Sequence, residues 1–404
     1  MAKTLELILN KLLFLLNVFI PKVALRVSVK RKTQFYTNVF QTNYQKRALI
    51  SFLTSSFQRN PKITHTNQLE CLNIALACKE LGYDVDVIDY DHHHTPYNIQ
   101  YDLVIGFGDV MEHLLSQKNT TCMHIMYSPG CNTVYSNKMS AIKLNAFYEK
   151  NGLGRASLGR FANEAWPLQK YCVDAIVVQG NEFVKSTYQQ DFADTKYYSI
   201  DCFPLQRKNN VKLNQDVAKY RNHMVWFGSA GSVHKGLDVA LALLYEFPDL
   251  KLSICGYNKK NEPELYQAYQ NLFESNRVTY YDFMDINSSD FESLLNTHCI
   301  AIFPSVSEGG AAGLLTLMAH GGLIPITTQT TGLDIEELGF VSKGTDYESI
   351  KNCYVAYTKL SDEDIKNRMK TIKMEVSERY QINKHQERLK AIIAEVSRLN
   401  NAKV

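Results

Sequence analysis

Tryptophan is almost absent from this chain: 2 residues in 404, against 24 tyrosines and 19 phenylalanines. Aromatic bulk therefore rests on Phe and on polar-tipped Tyr, which suits a large core. An excess of charge of one sign is also missing. Forty-four Lys and Arg face 41 Asp and Glu, leaving +3, too balanced for a dedicated nucleic-acid binder judged on charge. The nine cysteines, at 71, 78, 122, 131, 172, 202, 255, 299 and 353, include no C-x-x-C pair, and their number is odd. Several lie in apolar runs, such as Cys255 in KLSICG and Cys299 in CIAIFPS. They read as small buried hydrophobes in a reducing compartment, not as a disulfide or zinc framework. Repeats and low-complexity segments are absent. With 45% hydrophobic and 21% charged residues, the balance is globular and argues against long disorder. At roughly 150 residues per domain, the length implies two or three domains.

No apolar run reaches membrane-spanning length. Residues 5–20, LELILNKLLFLLNVFI, give about 16 residues interrupted by Glu6, Asn10, Lys11 and Asn17, where a span needs about 20. Only Lys3 precedes the run and no small-residue cleavage site follows, so a signal peptide is not indicated. On a helix, Lys3, Glu6, Asn10 and Asn17 fall in a stripe about 60° wide, with apolar residues around the rest. Lys22, Arg26, Lys30, Arg31 and Lys32 follow. An apolar helix followed by a basic cluster is the pattern of an interfacial anchor. Residues 1–32 are therefore expected to hold the protein on an anionic, cytoplasmic membrane face. The other reading packs this helix on its own domain or on a second subunit; the oligomeric state stays open.

From Arg47 onward short apolar runs alternate with amphipathic stretches, the pattern of βαβ units. ALISFLT (48–54), DVDVID (84–89), YDLVIGFG (101–108), TTCMHIMY (120–127), DAIVVQG (174–180) and KYYSIDCF (196–203) are expected strands. A helix over 67–81 is closed by Gly82. MVWFGS, KLSICG, RVTYYDF, CIAIFPS and GLIPITT repeat the pattern between 224 and 328, and 361–398 is helical. The expected organisation is α/β: an N-terminal segment 1–46, a Rossmann-like domain 47–204, a polar linker 205–222, a second Rossmann-like domain 223–375 and a helical tail 376–404. In open α/β sheets ligands bind beyond the carboxyl ends of the strands, so motifs at those ends carry the functional reading.

Two motifs stand there. In FPSVSEGGAAGLLTLMAHGGLIPITT (303–328) a buried strand ends at Pro304, and a small-residue loop leads into a helix at Ala311. Glu308 and several backbone N–H groups then sit at a helix N-terminus, a place for anions and sugar hydroxyls. Gly309, Gly310 and Gly313 permit close backbone approach. Spacing alone also allows an ordinary strand–loop–helix turn, with Glu308 as a favourable first-turn charge. In WFGSAGSVHKGLDVALALL (226–244) a strand again ends in small residues before a helix. Lys235, with N–H groups of the Gly228–Gly231 loop, makes a candidate diphosphate site.

The GSAGSVHKGLD and PSVSEGGAAGLLTLMAHGGLIPI segments, and more weakly HTNQLECLNIALACKELGYDVDVIDY, resemble glycosyltransferase family 4. These are retaining enzymes of the GT-B fold, many in bacterial surface-polysaccharide pathways. The resemblance covers most of residues 48–380. It implies two Rossmann-like domains facing across a cleft, a nucleotide-diphosphate sugar on the second and a glycan or lipid-linked acceptor on the first. The family's phosphate-loop lysine falls on Lys235, and the first glutamate of its E-x7-E motif on Glu308. The second glutamate, which in that family usually holds the nucleotide ribose, falls at position 316, here Thr316. The arginine that follows the first loop glycine is replaced by Ser229. Gly228, Ser229, Gly231, Lys235, Ser307, Glu308, Gly309, Gly310 and Thr316 are thus the expected donor-binding set, with Glu308 and Lys235 catalytic.

For the acceptor side, His65, Asn67 and Glu70 stand where the first strand runs into its helix; helix capping is the other reading of this position. Tyr127, Ser128 and Gly130 end a later strand at the same edge. Arg155, Arg160 and Glu164 are placed on a helix before DAIVVQG, facing either the cleft or solvent. Asp89-Tyr90-Asp91, followed by His92, His93 and His94, matches D-x-D, but no His spacing fits a metal site; no metal and no cofactor beyond the sugar nucleotide are expected. The first functional reading is a metal-independent glycosyltransferase of cell-surface polysaccharide (lipopolysaccharide or capsule) synthesis. A catalytically silent GT-B subunit, binding a partner transferase or a glycan, is the alternative.

Overall fold

The computed structural model describes residues 35–92, 99–115, 122–153, 160–163, 173–189, 195–209 and 213–401. Two sheets carry the chain. The first orders its strands β1 (Phe35–Tyr36), β3 (Tyr83–Asp89), β2 (Lys46–Phe52), β4 (Leu103–Gly106), β5 (Met123–Ser128), β6 (Ala175–Gln179) and β7 (Tyr197–Ile200). All pairings are parallel except that of β1, which runs antiparallel to β3 with Phe35 opposite Ile88. The second sheet is parallel throughout, in the order β10 (Val278–Tyr281), β9 (Lys251–Cys255), β8 (His223–Phe227), β11 (Ile300–Phe303), β12 (Ile324–Thr328) and β13 (Phe340–Ser342).

Apolar runs became strands because helices cover both faces of each sheet. β4, β6, β11 and β12 are buried at every residue, the signature of central parallel strands. The expected strands all appear, with their ends moved by up to three residues. The two-residue β1 carries no periodic pattern to read.

The C-terminal helices divide between the domains. In the helix Asp362–Arg379, Ile365, Met369, Ile372 and Val376 enter the second core. The chain turns at Tyr380–Gln381, and the helix Ile382–Asn401 lays Leu389, Ile392, Ile393 and Val396 into the first core. That i, i+3, i+4, i+7 spacing is one helical face. The tail therefore ties the second domain back to the first. Among the described residues no helix is long and apolar enough to cross a membrane; the expected anchor, residues 1–32, lies outside the described residues.

Candidate active site

The carboxyl ends of the two sheets meet. Asn181, after β6, donates from its backbone N–H to Gly332 O (3.1 Å) and from its side chain to Asp334 (2.8 Å). Lys143 pairs with Asp238 at 3.1 Å. Gly309 packs so closely on the β5 end that a Cβ there would lie 2.2 Å from Pro129 O. At Gly310, φ is +101° and a Cβ would lie 2.3 Å from Cys202 Cβ. These two glycines permit the close backbone approach expected of them, here of domain to domain, and Gly309 also lines the cleft.

Beyond β8 the chain loops over 228–236 before the helix Leu237–Glu246. Gly228 N–H donates to Cys255 O at 3.0 Å, and Trp226 Nε1 donates to Lys235 O at 3.1 Å. The lysine backbone is thereby held from inside the core. Lys235 is only 7% exposed, and its ammonium donates to the hydroxyl of exposed Ser229 at 2.5 Å. Burial pulls its pKa down to about 8, despite the opposing attraction of Glu308. Gly231 N–H, expected to be open to a ligand, donates instead to Glu262 Oε1 at 2.6 Å. Ser232 N–H lies 3.3 Å from both oxygens of that buried carboxylate. Of the expected phosphate nest, Gly231 is thus taken by the protein's own anion and Gly228 by a backbone carbonyl.

Beyond β11, Glu308 N–H bonds Thr330 O (2.9 Å) and Gly310 N–H bonds Thr331 O (2.8 Å), so these two donors are also spoken for. The Glu308 carboxylate accepts from Ser305 Oγ at 3.2 Å and pairs with Arg160 Nη1 at 3.2 Å. Burial alone would raise its pKa, but the charges of Arg160 and Lys235, with the Ser305 hydrogen bond, outweigh burial and hold it below the usual carboxylate value. Next comes Ala311, a non-glycine residue at φ 38°, ψ 58°, which caps the helix Ala312–Gly321 without a side-chain acceptor. Such strained geometry is concentrated at functional sites. Ser307 is buried, and its carbonyl accepts from His234 Nε2 at 2.9 Å, so that nitrogen carries hydrogen. Burial lowers the His234 pKa to about 4. The ring is therefore neutral, and its Nδ1 accepts the Ser140 hydroxyl at 2.6 Å.

A cavity of about 300 Å³ lies where these loops face the first domain. Asn67, Tyr127, Ser128 and Arg160 line one side and Ser307, Glu308 and Gly309 the other. His65 is the N-cap of the helix Thr66–Glu80, its Nδ1 accepting Asn67 N–H at 3.1 Å. Its ring reaches solvent, yet the surrounding protein and the charges of Lys235 and Arg160 lower its pKa to about 4. Ser128 donates to Gly130 O at 3.0 Å and touches the Tyr188 hydroxyl.

Three expected site residues are placed otherwise. Glu70 lies beneath the cavity, 1% exposed, accepting from Gln179 Nε2 (3.1 Å) and Tyr127 Oη (3.3 Å). Tyr127 Oη also meets His385 Nε2 at 3.4 Å, which links this buried network to the tail helix. Burial raises the Glu70 pKa to about 7. Thr316 is fully buried; its hydroxyl donates to Ala312 O (2.7 Å) and accepts Leu205 N–H (3.1 Å), pinning the interdomain linker where a ribose contact was expected. Arg160 lies in the irregular stretch 160–163 and not on a helix; Arg155 and Glu164 lie outside the described residues. Asp89 accepts the N–H (2.8 Å) and hydroxyl (3.0 Å) of Thr54, a strand-end cap. His93 and His94 lie outside the described residues. Among the described residues no three His, Cys, Asp or Glu side chains converge as a metal site. Glu262, which no local pattern marks, and His234, inside the GSAGSVHKGLD segment, are site residues that the sequence does not single out.

No protein-family model matches the chain, and no curated protein sequence matches it. Solved structures do match in fold. A sucrose-phosphate synthase from Thermosynechococcus elongatus is 16% identical with a TM-score of 0.59, over 89% of this chain and 100% of that one. A glycosyltransferase from Rickettsia africae is 14% identical with a TM-score of 0.55, over 87% and 99%. HepE of Anabaena, solved in complex with UDP and glucose, is 11% identical with a TM-score of 0.54, over 87% and 99%. The chain has the GT-B fold of these proteins: two parallel-sheet α/β domains followed by a helical C-terminal tail.

Proposed function

We propose that this protein is a GT-B glycosyltransferase that moves a sugar from a nucleotide-diphosphate donor to a glycan or lipid-linked acceptor. One observation carries the reading. A buried lysine at the carboxyl end of β8 has a hydroxyl as its hydrogen-bond partner and feels the charge of a largely buried, ionised glutamate at the carboxyl end of β11. A buried ammonium without a salt-bridge partner costs stability; a ligand phosphate would supply the missing charge. HepE, of the same fold, was solved with UDP and glucose, which supports a sugar nucleotide as the ligand.

In this reading Lys235 holds the diphosphate and stabilises the charge that develops on it as the bond to the anomeric carbon breaks. Glu308 orients the sugar through its hydroxyls. The acceptor oxygen bonds the anomeric carbon and yields its proton to the departing phosphate, so no separate protein base is required. Retention of configuration, family 4 membership and a role in cell-surface polysaccharide synthesis follow the sequence resemblance. Residues 1–32 would place the cleft beside a lipid-linked acceptor on the cytoplasmic membrane face, raising its effective concentration.

A thermal-shift panel of UDP, GDP, ADP and their sugar esters tests the reading, because a ligand of the native state raises its apparent stability. At least one nucleoside diphosphate should raise the melting temperature of the wild-type protein in proportion to log concentration. No shift with any of them at millimolar concentration would refute the donor site.

A further inference from the structure

A sugar nucleotide brings two phosphate charges, and the second domain is poorly supplied to meet them. Of the loop that would cradle them, Gly231 and Ser232 have given their N–H groups to Glu262, a buried carboxylate that is itself repulsive to phosphate. Ser229 stands where a basic residue is expected. Lys235 is then the one cation that the loop offers.

The first domain holds a second cation at the same place. The Arg160 Cβ lies against the loop, 3.1 Å from where a Cβ on Gly231 would sit. Its guanidinium reaches Glu308 at 3.2 Å, and its side chain is 54% exposed. Its charge is felt by Lys235, His234, His65 and Glu308 alike, so it is central to the cluster and not a rim charge.

We infer that Arg160 is a donor-phosphate ligand contributed by the first domain, and that its ion pair with Glu308 is a placeholder for the donor. Binding exchanges partners. The diphosphate takes the guanidinium from Glu308, and the carboxylate thus released accepts the sugar hydroxyls. Each partner of the resting pair finds its counterpart on one ligand, so neither charge is left buried and unpaired. A diphosphate without a sugar satisfies Arg160 but leaves Glu308 without its ion-pair partner, with only the Ser305 hydroxyl, and so binds against the cost of breaking the pair. Because the two residues belong to different domains, the exchange also couples donor binding to the arrangement of the cleft.

This inference rests on the proposed donor site, and a double-mutant cycle on the full chain separates the two. Calorimetric titration with the nucleoside diphosphate that binds best, and with inorganic pyrophosphate, would compare wild type, Arg160→Gln, Arg160→Lys, Glu308→Gln and Arg160→Gln/Glu308→Gln. Arg160→Gln should weaken the diphosphate about 10- to 100-fold, the scale of one charge-assisted hydrogen-bonded contact, with partial rescue in Arg160→Lys. Glu308→Gln should strengthen it several-fold by releasing the guanidinium, and this gain should vanish when Arg160 is also Gln. An arginine that merely props the domains together predicts losses of the same sign from both single changes. That result, or an Arg160→Gln affinity within twofold of wild type, overturns the inference and leaves the donor site standing. Absence of diphosphate binding by wild type overturns both.

Discussion

Replacing Lys235 by methionine should make the unliganded protein more stable and abolish its response to nucleoside diphosphates. In the unfolded chain the lysine titrates near its ordinary 10.5; burial brings it to about 8 in the folded state. The folded state thus binds the proton more weakly, and the charged side chain opposes folding at neutral pH. That opposition is complete below pH 8 and fades as the pH rises towards 10.5, where the unfolded chain still holds a proton that the folded one has shed. The difference corresponds to roughly 3 kcal/mol at most. Two terms reduce the benefit: Glu308 and Glu262 lose a favourable neighbour, although Glu308 keeps Arg160 and Ser305. The backbone is unaffected, because Trp226 bonds the Lys235 carbonyl. Methionine occupies nearly the volume of the lysine stem. A net gain on the order of 1 kcal/mol remains, or about 2–4 °C in melting temperature. Thermal unfolding at pH 7, with and without a nucleoside diphosphate, reads both effects. A fall of more than 2 °C in the unliganded protein would show that the ammonium is a structural element, and a persisting ligand shift would show that it does not hold phosphate.

Thr316→Val should cost stability, about 1–3 kcal/mol, by leaving Leu205 N–H without its acceptor, while diphosphate affinity stays within twofold; titration and urea unfolding on the same variant check this. Glu70, ordinarily near 4.5 and here raised to about 7 by burial, favours folding in its protonated form. Wild-type stability should therefore decline between pH 4.5 and 7, and Glu70→Gln should flatten that decline, as urea unfolding at pH 5 and pH 8 would show. Deleting residues 1–32 should release the protein from sedimenting anionic liposomes, and raised salt should weaken attachment of the full chain. Continued sedimentation of the truncated protein would argue against the anchor.

Much of the architecture is legible in the sequence because parallel strands buried on both faces leave continuous apolar runs, and small residues mark their carboxyl ends. Lys235 and Glu308 are legible for the same reason: each lies a few residues beyond such a run. What escapes is what depends on partners distant in the chain. Gly231 looks like a free donor until Glu262, 31 residues later, folds onto it. Thr316 stands at a ribose-binding position in a motif, yet its hydroxyl is claimed by a linker residue 111 positions away. Gly309 and Gly310 are small because Pro129 and Cys202 press on them. The last helix gives a clear amphipathic pattern, but nothing in that pattern says which domain its apolar face will meet.

As a glycosyltransferase cleft, this site should take a sugar nucleotide and break its bond to phosphate. Release of nucleoside diphosphate from a panel of UDP-, GDP- and ADP-sugars, followed over hours with wild type and with Lys235→Met, tests it most directly. Wild type should release nucleoside diphosphate slowly from at least one sugar nucleotide, and the variant about 10²–10³-fold more slowly, the scale for losing one preorganised stabilising donor. Release by neither protein from any member of the panel, or equal release by both, would contradict it.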